Sequence, residues 1–335
     1  MCFQTSVESQ TGMVTQIHLC RFSMFRLLPL LCIAAGQSQA QAPVPPGDLI
    51  DLGGRRLHLN CVGVGSPTVI VQNGGGSFSV EWALVQMAVE NFARICTYDR
   101  AGYAWSDRGP VDDGIEEIMD DLNLLLRKAH ITPPYVLVGH SLGSLYARAY
   151  QRRFPEQVVG LVFVDGTHDE DIRMVVDGKR EPLSLLTRDQ LPSAHQEYLK
   201  SVPPIKPGPP GAPPFDRLPI ALQQARQWAF EKIVRDFGWL PNSVASAESW
   251  REEFTALRRQ RLSADHPLGR LPLRVLERAK DTTEVWHNQQ VELAGLSSAG
   301  KLIRADGSAH MIHLERPDLV AQAIREVIRE VRLGK

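Results

Sequence analysis

The sequence predicts an α/β fold: a mostly parallel sheet with helices on both faces, interrupted once by a helical insertion. Three observations lead there. Short β-branched runs alternate with segments of helical periodicity from Asp48 to about Gly166, and the alternation resumes from Leu271. Between them, residues 168–267 offer amphipathic helices and no convincing strand. Strands that alternate with helices pair in parallel and are covered on both faces.

Residues 55–62 alternate apolar and polar side chains, as a half-buried strand does. Residues 68–72 (TVIVQ), 93–98 (ARICTY), 135–138 and 158–164 (VVGLVFV) read as further strands. Residues 80–89, 115–129 and 142–154 read as helices; Ile115, Ile118, Leu122, Leu125 and Leu126 recur at helical spacing. In the insertion, residues 203–214 hold seven prolines in twelve positions, a stiff extended loop. One helix then aligns Leu222, Ala225, Trp228, Ala229, Ile233 and Phe237, and another aligns Trp250, Phe254 and Leu257. Residues 273–276 and 302–304 close the set of strands, and residues 284–296 and 317–331 the set of helices. The organisation is residues 48–167 and 268–335 as one core, with 168–267 as its insertion.

The first 40 residues stand apart. Arg21 and Arg26 precede an apolar run of nine, residues 27–35, and Ser38-Gln39-Ala40 closes it in a small-x-small pattern. That order is expected of a signal peptide cleaved after Ala40, with Met24 an alternative start, and the run is too short to span a bilayer. Secretion or export to the periplasm is the expectation, without stable membrane insertion after cleavage. Cleavage leaves two cysteines, Cys61 and Cys96. They allow one disulfide in an oxidising compartment, or two buried thiols in neighbouring strands. A net charge of −1 gives no basic field to attract nucleic acid or an anionic membrane.

The chemistry centres on Gly139-His140-Ser141-Leu142-Gly143. Gly-x-Ser-x-Gly alone carries modest weight; its setting, a strand before and a helix after, carries more. A serine on so sharp a turn is strained, with its hydroxyl projecting, and the two glycines let strand and helix pass where a Cβ would collide. The helix N-terminus turns free N–H groups toward the site. A serine hydroxyl needs a general base, and the ten histidines are the candidates.

Four motifs in order resemble those of the α/β-hydrolase fold family, more specifically its capped esterase and lipase-like branch. They are Asn73-Gly74-Gly75, Asp99–Asp107 with Gly102 at its bend, the serine turn, and the loop from Gly307 to Pro317. The resemblance runs from about Asp48 to the C-terminus and is weakest in the insertion. It implies an eight-stranded sheet with a helical cap. It also implies His310 as base, His313 being the rival, and Asp281 after strand 273–276 as the triad acid. Asp165, which ends strand 158–164, is the alternative acid. The implied oxyanion donors are the N–H groups of Leu142 and of Gly75, with Gly76 as fallback. Asp99–Asp107 is expected to be structural, and His140 to pack beneath the turn.

No cofactor or metal is expected. The cluster His168-Asp169-Glu170-Asp171 reads as a solvated hinge, since no spaced partner ligands follow. The cap aromatics Trp228, Phe230, Phe237, Trp239, Trp250 and Phe254 are expected to form mostly cap core, some roofing an apolar pocket over Ser141. The expected activity is hydrolysis of a small-molecule carboxylic ester through an acyl-enzyme. Amide, thioester or carbon–carbon bond hydrolysis on the same residues is the alternative, and a non-catalytic ligand-binding protein the minor one. Epoxide hydrolase and dehalogenase chemistry is disfavoured, because those relatives carry Asp at the position of Ser141.

Overall fold

The computed structural model describes residues 42–334 except 110–113, 202–208, 210 and 237–243. The proposed signal segment, Phe237, Trp239 and much of the proline-rich loop therefore lie outside the described residues.

Ten strands are described: β1 (Asp48–Asp51), β2 (Arg56–Val62), β3 (Thr68–Gln72), β4 (Ile95–Tyr98), β5 (Tyr135–His140), β6 (Val158–Val164), β7 (Arg173–Val176), β8 (Lys179–Pro182), β9 (Leu273–Arg278) and β10 (Gly300–Ala305). The described helices are α1 (Ala83–Val89), α2 (Ile115–Lys128), α3 (Gly143–Arg153), α4 (Leu191–Ser201), α5 (Ile220–Asp236), α6 (Val244–Leu262), α7 (Glu284–Gly295), α8 (Ile312–Glu315) and α9 (Pro317–Arg332). Eight strands form one sheet in the order β1-β2-β4-β3-β5-β6-β9-β10. It is parallel from β4 to β10, and β2 runs antiparallel to both of its neighbours.

The period of two along each strand divides the core. In β3, Ile70 faces one side with Leu137 of β5 and Phe163 of β6, while Val69 and Val71 face the other with Val136, Val138, Val162 and Val164. The first side is covered by α2 and α3, through Leu122, Leu126 and Leu145. The second is covered by α1 and α9, through Val85, Val89, Val320, Ile324 and Val327. Both faces are thus apolar, which is why these strands read as unbroken β-branched runs. Cys61 and Cys96 stand opposite one another in β2 and β4 and are joined as a disulfide.

The insertion corrects the sequence reading in two respects. It is not free of strands, since β7 and β8 pair as an antiparallel hairpin. Asp177 and Gly178 supply its turn with φ of 50° and 76°, the pair of positive values that a tight hairpin needs. Nor is the 168–171 cluster wholly solvated, since His168 and Asp169 are buried. Asp169 is fully buried, its Oδ1 accepting from Arg148 at 2.9 Å, and Arg261 of α6 also reaches it. Arg258 and Arg261 both hold Glu170. Asp169 can be buried because arginines from α3 and α6 compensate its charge, while Glu170 stays partly exposed. Among the described residues no helix is long and apolar enough to cross a membrane.

Candidate active site

Ser141 sits where β5 ends and α3 is about to begin, with φ of 51°. Its N–H donates to the Val164 carbonyl at 3.0 Å, and its own carbonyl accepts from Thr167 N–H at 3.1 Å and Ser144 Oγ at 2.8 Å. These bonds hold a conformation that costs of order 1–3 kcal/mol on its own. A Cβ on Gly139 would lie 2.4 Å from the Gly143 carbonyl oxygen, and one on Gly143 would lie 2.0 Å from that of Gln72. Neither position has room for one, so both glycines of the pentapeptide are required.

The loop between β10 and α8 carries His310 across the carboxyl ends of the strands. Glu315 fastens it, accepting from Ala309 N–H at 2.6 Å and Ser308 Oγ at 2.7 Å. His140 Nε2 donates to the His310 carbonyl at 2.9 Å, since a carbonyl can only accept. Burial, helped by His313 and His310, holds the His140 imidazole well below its ordinary range and therefore neutral. His313 is fully buried within α8, stacked on Trp82 at 4.7 Å. Burial pushes it down to about 3, so it is not a usable base near neutral pH.

His310 Nδ1 lies 2.5 Å from Asp165 Oδ2. This corrects the expected acid: Asp281 is exposed in the loop between β9 and α7, and the partner of His310 is Asp165. The reason is strand length. β9 runs on to Arg278, and the next carboxylate in sequence, Asp281, lies past the end of the strand and is exposed. Asp165, in the first position after β6, faces His310 Nδ1 and is fully buried. Its other oxygen, Oδ1, accepts from Trp286 Nε1 at 2.9 Å and from Arg278 N–H at 3.1 Å. Burial alone would raise this carboxyl; the His310 and Arg278 contacts outweigh it and hold it below its ordinary range.

Gly75 and Leu142 border the same cavity, and a Cβ on Gly75 would touch Leu142 Cδ2 at 3.5 Å. Asn73 ties its loop to β4 through the Tyr98 carbonyl at 2.6 Å. The buried Arg100 guanidinium donates to the carbonyls of Asn73 and Gly74, at 2.8 and 2.9 Å. The 99–107 loop is structural, as expected: Ser106 Oγ donates to the Asp99 carbonyl at 2.6 Å, and Gly102 turns at φ 80°. The role of Arg100 was not foreseen.

The cavity has a volume of about 350 Å³ and opens onto Ser141, His310, Gly74, Gly75 and Leu142. Its walls are mostly apolar, with Ile172, Phe215, Phe230 and Met311 prominent. One ion pair interrupts them. Arg226 of α5 donates from Nε to the buried Glu81 at 2.8 Å, and Ser77 Oγ donates to the second carboxylate oxygen. The Arg226 guanidinium lies over the Phe215 ring. Of the aromatics expected in a cap, Phe230 reaches the cavity, Trp250 and Phe254 are buried in the same apolar cluster as α2, α3 and one face of the sheet, and Trp228 packs on Trp105 at 5.5 Å. The ion pair had no local signature, because its partners are 145 residues apart. Among the described residues no group of three or more His, Cys, Asp or Glu is arranged to hold a metal ion.

The model of the alpha/beta hydrolase family matches residues 69–323, and the chain belongs to that family. A Hormonema carpetanum protein described as the probable transporter efuK is 28% identical over 320 residues, covering 84% of this chain and 42% of that protein. The chain thus spans less than half the length of the first relatives it matches, 42% of that one and 26% of an uncharacterised Schizosaccharomyces pombe protein. Among solved structures, a thermophilic esterase from Thermogutta terrifontis aligns at a TM-score of 0.57 and 20% identity, covering 83% of this chain and 94% of that one. An enol-lactonase from Burkholderia xenovorans aligns at 0.56 and 18% identity, covering 83% and 98%. These structures share the fold.

Proposed function

We propose that the protein is a serine hydrolase that cleaves carboxylic esters through an acyl-enzyme, with Ser141 as nucleophile, His310 as base and Asp165 as the acid. The observation that carries the reading is the 2.5 Å contact of His310 Nδ1 with Asp165. It leaves Nε2 unprotonated, in a cavity shared with a serine on a strained turn. In the first half-reaction Nε2 takes the Ser141 hydroxyl proton as Oγ bonds to the ester carbonyl carbon. The N–H groups of Gly75 and Leu142 receive the charge that develops on the carbonyl oxygen. Collapse breaks the carbon–oxygen bond to the alcohol, which leaves with the proton from Nε2. Water then repeats the sequence: Nε2 takes its proton, its oxygen bonds to the acyl carbon, and Ser141 regains the proton as the carboxylic acid departs.

The apolar walls favour an ester with an apolar acyl or alcohol part. Structures of this fold include an esterase and an enol-lactonase but also a meta-cleavage product hydrolase, so the choice of an ester bond rests on the proposed site and is decided by the substrate test. Export through residues 1–40 is part of the proposal, and the Cys61–Cys96 disulfide suits an oxidising compartment. The test is a panel of p-nitrophenyl esters of increasing acyl length, together with labelling by a fluorophosphonate probe. Hydrolysis and labelling by the wild type, both lost in Ser141→Ala, are expected. Full activity in Ser141→Ala would overturn the reading. An unlabelled, inactive wild type would favour a ligand-binding protein on this scaffold.

A further inference from the structure

Arg278 has no part in the mechanism above, yet it sits against the acid and the base together. Its Nη1 donates to Asp165 Oδ2 at 2.9 Å, the same oxygen that faces His310 Nδ1. Nη1 also lies 3.4 Å from His310 Nδ1. A guanidinium cannot accept a hydrogen bond, and Nδ1 must keep its proton to donate to the carboxylate. Two donors therefore converge on one oxygen, and one of them bears a permanent positive charge. The guanidinium is fixed over the Trp286 ring at 4.1 Å, and Trp286 Nε1 in turn donates to Asp165. Its side chain is 18% exposed, so water screens the charge only in part.

We propose that Arg278 is a positioning residue that acts on the base through Asp165. Its fixed charge opposes protonation of His310 and keeps the site active in a more acidic range than an Asp–His pair alone would allow. The proposal rests on the assignment of His310 as base. In a bare pair the carboxylate stabilises the imidazolium; a cation on the same carboxylate oxygen works against it. Among the described residues, the ionisable groups around His310 are Asp165 beyond β6, Arg278 ending β9, His140 ending β5, and His313 and Glu315 on α8; the Glu81–Arg226 pair lines the same cavity, and Arg217 donates to the Glu315 carbonyl. Burial keeps His140 and His313 neutral, and Glu315 is taken up by Ser308 Oγ and Ala309 N–H. Arg226 is paired with Glu81, whereas the Arg278 charge bears directly on the Asp165–His310 pair. Nothing in the local sequence marks Arg278, because the contact depends on β9 continuing past Leu276.

The experiment is the pH dependence of kcat/KM on a p-nitrophenyl ester for wild type, Arg278→Gln, Arg278→Lys and Arg270→Gln, the last removing an exposed charge. Arg278→Gln should move the midpoint of the acid limb upward by about one pH unit, a loss approaching tenfold on that limb. Arg278→Lys and Arg270→Gln should leave the midpoint close to that of the wild type. If the glutamine variant does not fold, Arg278→Met, which keeps most of the apolar stem, takes its place. A uniform drop in rate with an unmoved midpoint, or a lysine variant that shifts as glutamine does, would overturn the proposal. His310→Gln separates the two levels. If it retains full activity, the assignment of the base fails; a limb that depends on His310 and ignores Arg278 removes this inference alone.

Discussion

The guanidinium of Arg100 donates to the carbonyl oxygen of Gly74 at 2.9 Å. In a trans peptide the carbonyl and the following N–H point in opposite directions. The bond that draws the Gly74 oxygen toward Arg100 therefore turns the N–H of Gly75 away from it. A second bond, to the Asn73 carbonyl, fixes the preceding peptide in the same way. Arg100 is buried between the rings of Tyr103 and Tyr146, at 4.4 and 5.2 Å from their centroids, and has little freedom to move. Removing an oxyanion donor costs about two to three powers of ten in kcat, and displacing one should cost somewhat less. Arg100→Met is expected to lower kcat by roughly 10–100-fold with a smaller change in KM. Steady-state kinetics check this, with calorimetry to confirm that the variant is folded.

The two candidate acids make opposite predictions. Asp165→Asn removes the acceptor that holds His310 in its tautomer, and kcat should fall by about 10³–10⁴. Asp281→Asn changes an exposed loop and should leave kcat within about twofold, as surface substitutions usually do. Assay of both variants on one ester decides the matter, and an inactive Asp281→Asn beside an active Asp165→Asn would refute the assignment.

What separates these two residues shows why the site was only partly legible. Ser141 and His310 are read from local demands. Gly139 and Gly143 have no room for a Cβ, and His310 is followed at fixed spacing by the Glu315 that fastens its loop. The acid has no such signature. Asp165 and Asp281 each follow a strand of the parallel core, and the choice depends on how far β9 extends. The apolar pattern ends at Leu276, whereas pairing with β10 continues through Glu277 and Arg278. The β7–β8 hairpin was hidden for a related reason. Its second strand, Lys179–Pro182, is short, charged and exposed over its first half, so only Asp177-Gly178 announced it. Arg100, Arg226 and Arg278 act on partners 26–145 residues away, and no periodicity carries that information.

The ion pair in the cavity wall should respond asymmetrically to its two deletions. Glu81 is 1% exposed as a side chain and Arg226 18%. Arg226→Ala strands a carboxylate in an apolar wall; burial already raises this group, and without the arginine it takes up a proton or loosens the contact with α5. Glu81→Gln leaves the arginine partly solvated and keeps a neutral acceptor for Ser77. Arg226→Ala is expected to cost about 3 kcal/mol and Glu81→Gln about 1 kcal/mol. Denaturant titration of both variants measures the difference, and equal losses would contradict it.

The buried Arg148–Asp169 pair predicts how stability depends on acid. Burial by itself would raise Asp169, but Arg148, His168 and Arg261 outweigh it and hold the carboxyl below its ordinary value of 3.8. A carboxyl depressed by folding contributes stability above the unfolded value, and that contribution is lost as pH falls through the folded one. At neutral pH the contribution is complete. It begins to shrink as pH drops below 3.8, where the unfolded chain takes up the proton first. Asp169→Asn removes the linkage and leaves Arg148, also fully buried, without its countercharge. Removing one partner of a buried pair costs about 3–5 kcal/mol. The variant should be less stable than wild type by about that amount at pH 7, Arg261 providing no relief because it carries the same sign. The gap should narrow steadily below pH 3.8 as the wild type alone loses the pair. Chemical denaturation of both proteins at pH 7, 5 and 3 tests this, and a gap that stays constant down to pH 3 would show that ionisation of the Arg148–Asp169 pair does not contribute to stability in this way.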